Sequence, residues 1–160
     1  MKRFAVCALA LTVLSFAARP VFSHCEIPCG IYDDQMRISL IEEHIATIEK
    51  SMKDIVELSK ASPVNYNQIV RWTMNKDTHA DELQHIVSQY FLTQRVKPTP
   101  PQDGPKYDAY IEQVKLLHEM LVAAMKCKQT TDLQNVEKLR SLTSAFAAAY
   151  FGPGEPERKR

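Results

Sequence analysis

Six adjacent residues, His24-Cys25-Glu26-Ile27-Pro28-Cys29, bring together an imidazole and two thiols, with Gly30 and Tyr32 just beyond. What they can do depends on where the chain begins. If it were cut before His24, the new terminus would add an α-amine to the same short stretch. The His24 amine, the deprotonated Cys25 amide and the Cys25 sulfur then form two fused five-membered chelate rings. Cys29 closes a plane of two nitrogens and two sulfurs, which suits nickel(II) or copper(II), whereas zinc prefers a tetrahedron. The His24 imidazole is placed to become an axial fifth ligand. Amidate and thiolate donors push electron density onto a metal and stabilise its higher oxidation state, so the set suits one-electron cycling. Pro28 fixes φ and Gly30 admits positive φ, which lets the segment turn back on itself.

Residues 1–23 supply the cut. Lys2 and Arg3 form a positive n-region, Phe4 to Ala18 an apolar h-region, and Val21-Phe22-Ser23 the small or β-branched pattern of a signal-peptidase site. The apolar run of about 15 residues is shorter than the roughly 20 needed to span a bilayer. The expectation is a cleaved secretory signal, an exported protein in the periplasm or outside the cell, signal peptidase as maturation partner, and no membrane attachment afterwards. Cys7 leaves with the leader, so the mature chain keeps Cys25, Cys29 and Cys127. Three cysteines cannot all pair. A Cys25–Cys29 disulfide remains open as the alternative to metal binding.

The elements that must carry this hook read as helices. The mature length is that of one domain, and 17 Lys and Arg against 19 Asp and Glu give no support to nucleic-acid binding. The first helix is expected from Asp34 to Ala61, on the three-to-four spacing of Ile41, Ile45, Ile48, Met52, Ile55 and Ser59. A second starts near Asn65 and uses Ile69, Trp72, Leu83, Ile86, Val87, Tyr90 and Phe91. Its polar middle, Asn75 to Glu82, reads as a solvated face or a subunit interface. Pro98 to Pro105 reads as a stiff linker. The third helix, Tyr107 to Lys128, has Ile111, Val114, Leu117, Leu121 and Met125 on one stripe. The fourth opens with Thr131 and Gln134 in capping-box spacing and carries Leu133, Val136, Leu139, Leu142, Phe146 and Tyr150 to Gly152. The fold class is therefore all-α, an antiparallel up-down-up-down four-helix bundle with an N-terminal metal-binding hook. The expected domains are a leader at 1–23, a domain at 24–151 (hook 24–32, bundle 34–151) and a flexible tail at 152–160.

His24, Cys25, Pro28, Cys29, Gly30 and Tyr32, followed by a bundle of this size, resemble the nickel superoxide dismutase family. The likeness covers essentially residues 24–151. Tyr90-Phe91 and Lys97-Pro98 resemble the family's tyrosine-phenylalanine and lysine-proline segment, with five residues intervening here. The resemblance implies disproportionation of superoxide to dioxygen and hydrogen peroxide by Ni(II)/Ni(III) cycling, one nickel ion per subunit, and a homohexamer. It implies that His24, Cys25 and Cys29 are the metal ligands. It also implies that Tyr32 lies beside the open face of the metal and orders small anions or water, with Tyr90 as a second tyrosine nearby. Glu26 stands where an aspartate is common. The acidic partner that many members offer the axial imidazole is not assignable within Arg37 to Glu43.

Three rival readings stand beside this one. A di-iron bundle needs two Glu-x-x-His pairs; Glu82 and His85 give one, but Lys115 occupies the position before His118 that the second requires. An exported nickel or copper carrier would use the same hook without turnover. A purely structural bundle would hold a Cys25–Cys29 disulfide and no metal. His44, His79, His85 and His118 read as surface or interface residues, Tyr66, Tyr107 and Tyr110 as core or subunit-contact aromatics, and Cys127 as a small buried residue.

Overall fold

The computed structural model describes residues 28–152, and the chain divides at the Tyr32–Asp33 bond into two units. The leader, His24, Cys25 and the tail beyond Gly152 lie outside the described residues. In the second unit, α1 spans Asp34–Ser59, α2 Tyr66–His85, α3 Pro105–Gln129 and α4 Leu133–Phe151. A π-helical segment, Ile86–Arg95, continues directly from α2, and a 3-10 turn, Pro101–Asp103, precedes α3. There is no strand among the described residues.

Local chemistry sets the helix starts. Asp33 caps α1, its carboxylate accepting from the Met36 amide at 3.0 Å, and Asn65 caps α2 by accepting from Gln68 at 3.2 Å. Pro105 opens α3 at a position where its missing N–H costs nothing. The cap of α4 is Asp132, which accepts from the Gln134 amide at 3.0 Å. The capping box expected on Thr131 does not form; Asp132, one residue on, is the cap in its place.

Cross-helix hydrogen bonds establish the topology. Between α1 and α2, Ser51 meets Asn75 and His44 meets His79, so one chain rises as the other falls. Lys76 with Cys127 and Gln84 with Leu121 show the same for α2 and α3; Glu49 with Arg140 and Asp34 with Tyr150 show it for α1 and α4. Consecutive helices pack together and α4 closes against α1. This is the expected four-helix bundle. Its core includes Ile41, Ile45, Ile48, Leu83, Phe91, Leu117, Met120, Leu139 and Phe146, all fully buried. Each such side chain contributes about 1.5–3 kcal/mol by leaving water.

Two expectations need correction. The buried stripe of α3 is Leu116, Leu117, Met120, Ala123, Ala124 and Cys127, while Ile111 and Met125 are exposed. Alanines let the neighbouring helices approach closely, and a reading weighted toward large side chains passed over them. The polar middle of α2 is also more than a solvated face. Lys76 is buried, 3% exposed, and donates to the Cys127 and Lys128 carbonyls at the end of α3 and to Asp77.

Candidate metal centre

In the first unit the described residues are Pro28 to Tyr32. Pro28, Cys29 and Gly30 form a bend, and Gly30 has φ of +79°, the left-handed conformation that its lack of a Cβ permits. Cys29 and Tyr32 are exposed, so a soft sulfur donor and a phenol are both accessible on this short loop. A thiolate is a fitting ligand for a late transition metal. His24 and Cys25, the other residues of the expected donor set, lie outside the described residues. Among the described residues no group of three or more His, Cys, Asp or Glu could hold a metal ion. Glu82 and His85 are both exposed on the outside of the bundle rather than converging in its interior, so the di-iron arrangement is not built there.

The second unit begins with a cluster that the sequence did not reveal. Asp34, in the first turn of α1, accepts from the Tyr90 hydroxyl at 2.6 Å, Arg95 Nε at 2.8 Å, Arg95 Nη2 at 2.6 Å and the Tyr150 hydroxyl at 2.9 Å. Burial raises the Asp34 pKa, but the bonds from Arg95, Tyr90 and Tyr150 and the Arg95 charge outweigh it, and the carboxyl sits below its ordinary value. The same bond to Asp34 pushes Arg95 up. Burial, then Asp34, pushes Tyr150 up to about 12 and raises Tyr90 further. Both phenols are therefore held as hydroxyl donors. The Arg37 guanidinium lies 4.9 Å from the centre of the Tyr90 ring, a cation–π contact.

The π-helical backbone makes the cluster possible. In an α-helix, residues five apart point about 140° away from each other. With i→i+5 hydrogen bonding they become neighbours on successive turns, so Tyr90 and Arg95 reach one carboxylate. The Val96 amide bonds back to the Phe91 carbonyl at 2.8 Å and ends the segment in this register. Tyr90, expected near the metal, is in this cluster and buried; the meeting of Asp34, Arg95 and Tyr150 here was not anticipated. An aspartate after the motif also satisfies the ordinary preference for acid in a first helical turn, which hides its second role.

Of the remaining expectations, Cys127 is buried, and burial pushes its thiol up to about 11 despite the nearby Lys76 charge. His85 and His118 are exposed, but His44 and His79 are half-buried and face each other across the α1–α2 seam. Tyr66 is exposed, and Tyr107 and Tyr110 are half-buried.

The described residues form an all-α bundle, and the exposed Cys29 thiol on the loop before it is a donor of the kind that late transition metals accept. The sequence model of the nickel-containing superoxide dismutase family matches residues 19–153, and the chain belongs to that family. It is a superoxide dismutase, its cofactor is nickel and its substrate is superoxide. Comparison with curated proteins and with solved structures gave no match.

Proposed function

We propose that the dismutase activity is carried by the first nine residues of a processed chain starting at His24. The observation that carries this reading is the run His24-Cys25-Glu26-Ile27-Pro28-Cys29-Gly30-Ile31-Tyr32, which lies inside the family match and has the donor set that nickel(II) takes. His24 would hold nickel through its α-amine and imidazole, Cys25 through an amidate and a thiolate, and Cys29 through the second thiolate. One nickel ion per subunit, when bound, supplies one-electron cycling between Ni(II) and Ni(III). Two superoxide ions and two protons thereby give one dioxygen and one hydrogen peroxide. Tyr32 orders the small anion or water beside the metal. The positive φ of Gly30 supports the reading, because the chain must reverse for Cys29 to meet donors at the terminus.

Signal peptidase makes the terminus, and the mature protein works in the periplasm or outside the cell. Among the described residues no helix is long and apolar enough to cross a membrane. The subunit assembles as a homohexamer; Tyr66, Val70 and Met74, exposed at four-residue spacing along α2, form an apolar stripe suited to burial between subunits.

The test is positional. One alanine added before His24 in the mature protein displaces the amine, and we expect loss of nickel and of superoxide decay, read by metal analysis and a decay assay. Full activity in that variant would overturn the terminal-amine reading. His24→Ala keeps the planar donors, so it is expected to retain part of the nickel while turnover collapses. Wild-type protein that binds nickel without catalysing decay would instead be a carrier.

A further inference from the structure

The seam between α1 and α2 brings two histidines together. His44 on α1 and His79 on α2 approach with Nδ1 to Nδ1 at 2.8 Å, their ring centroids 5.1 Å apart and tilted by 48°. Both rings are half-buried, so the seam holds them in place while solvent still reaches them. In the neutral pair one Nδ1–H donates to the other Nδ1. That bond requires only a donor and an acceptor, but the geometry fits another use. A metal bonded to two imidazole nitrogens at about 2.0–2.1 Å and a right angle separates them by about 2.9 Å; a tetrahedral angle needs about 3.3 Å. The observed separation therefore matches one edge of a square or tetragonal plane.

The surroundings have the charge that a dication requires. Glu43 on α1 and Glu82 on α2 both act electrostatically on His44 to favour positive charge there. Glu82 follows His79 at i+3, on the same face of α2. Burial and the neighbouring His79 nonetheless pull His44 below its ordinary value, which keeps its lone pair available.

We propose that His44 and His79 form a second, labile metal site, distinct from the hook, which takes a divalent late transition ion in a tetragonal field, copper(II) before nickel(II). The two Nδ1 atoms are the protein donors, and water completes the coordination. The shared proton moves through solvent to Nε2 of its own ring, so the neutral pair loses no net proton on binding. Copper(II) ranks above nickel(II) because the order of stability at nitrogen sites places it there. The proposal does not depend on the hook, since it needs only the α1–α2 seam.

The test is copper(II) titration of the processed protein with its nickel loaded, followed by electron paramagnetic resonance. The expected signal shows coupling to two imidazole nitrogens and weakens as acid protonates the rings. His44→Gln and His79→Gln retain a polar side chain and should each lower copper affinity at least about tenfold, with superoxide decay by the nickel-loaded protein unchanged. In unmodified protein, copper should broaden the His44 and His79 imidazole proton signals before those of His85 and His118 in nuclear magnetic resonance, a readout independent of how the variants fold. Wild-type affinity in both variants, broadening centred on His85 or His118, or release of nickel in step with copper uptake would each overturn the proposal.

Discussion

Asp34 and Lys76 are two ways of holding a charge inside the same bundle. Asp34 stands in the first turn of α1 and is surrounded by side-chain donors from the π segment and α4. Lys76 lies in mid-α2 and points at backbone carbonyls where α3 ends. Each has the sign that the helix end favours, anion at an N-terminus and cation at a C-terminus. They differ in what must be right for the pairing to form. The lysine needs only a helix end, because unsatisfied carbonyls occur at every one. The aspartate needs three particular residues brought into one register. The lysine arrangement is generic and the aspartate arrangement specific, and the specific one lies immediately after the hook in sequence.

Substitutions should separate the two, beginning with the largest effect. Asp34→Ala leaves the Arg95 guanidinium and two hydroxyls without their acceptor. Breaking a fully buried ion pair costs about 3–5 kcal/mol; partial exposure of both partners places this one near the lower end, about 3 kcal/mol by denaturant titration. Lys76→Met preserves the apolar stem but abandons two carbonyls, for about 2 kcal/mol. A larger loss at Lys76 than at Asp34 would reverse the comparison. Tyr150→Phe removes one of several donors and should cost about 1 kcal/mol.

Acid provides a finer separation. Because the Asp34 pKa is lowered on folding, its contribution is present above the ordinary value of 3.8 and disappears as pH falls through the folded value. Asp34→Asn should therefore flatten stability against pH in that acid window. His44, also lowered on folding, acts in a separate window: its contribution is lost as pH falls below 6.5 and through the folded value.

The helices were legible because periodicity survives any tertiary context: the isoleucines of α1 and the Leu139–Phe146 face of α4 read directly from spacing. The stripe of α3 was not, since Ala123 and Ala124 face the core for their smallness rather than their hydrophobicity. Asn75, Lys76 and His79 read as a solvated face or a subunit interface because polarity in sequence does not say which partners lie across a seam. Of the site, the motif could be recognised from Cys29, Gly30 and Tyr32 with their upstream neighbours. The Asp34 cluster could not, because helical spacing misplaces Arg95 by more than a quarter turn relative to Tyr90.

That misplacement gives the π segment its meaning. Five residues, Leu92 to Val96, separate Phe91 from Lys97. The wider coil ends there, with Arg95 as its last residue. What the segment specifies is a count as much as a composition. Its side chains could be exchanged one at a time with graded loss, but tightening the same ten residues into an α-helix would set Tyr90 and Arg95 about 140° apart. The segment behaves as a lock set by the width of its coil, and side-chain identity alone does not set it.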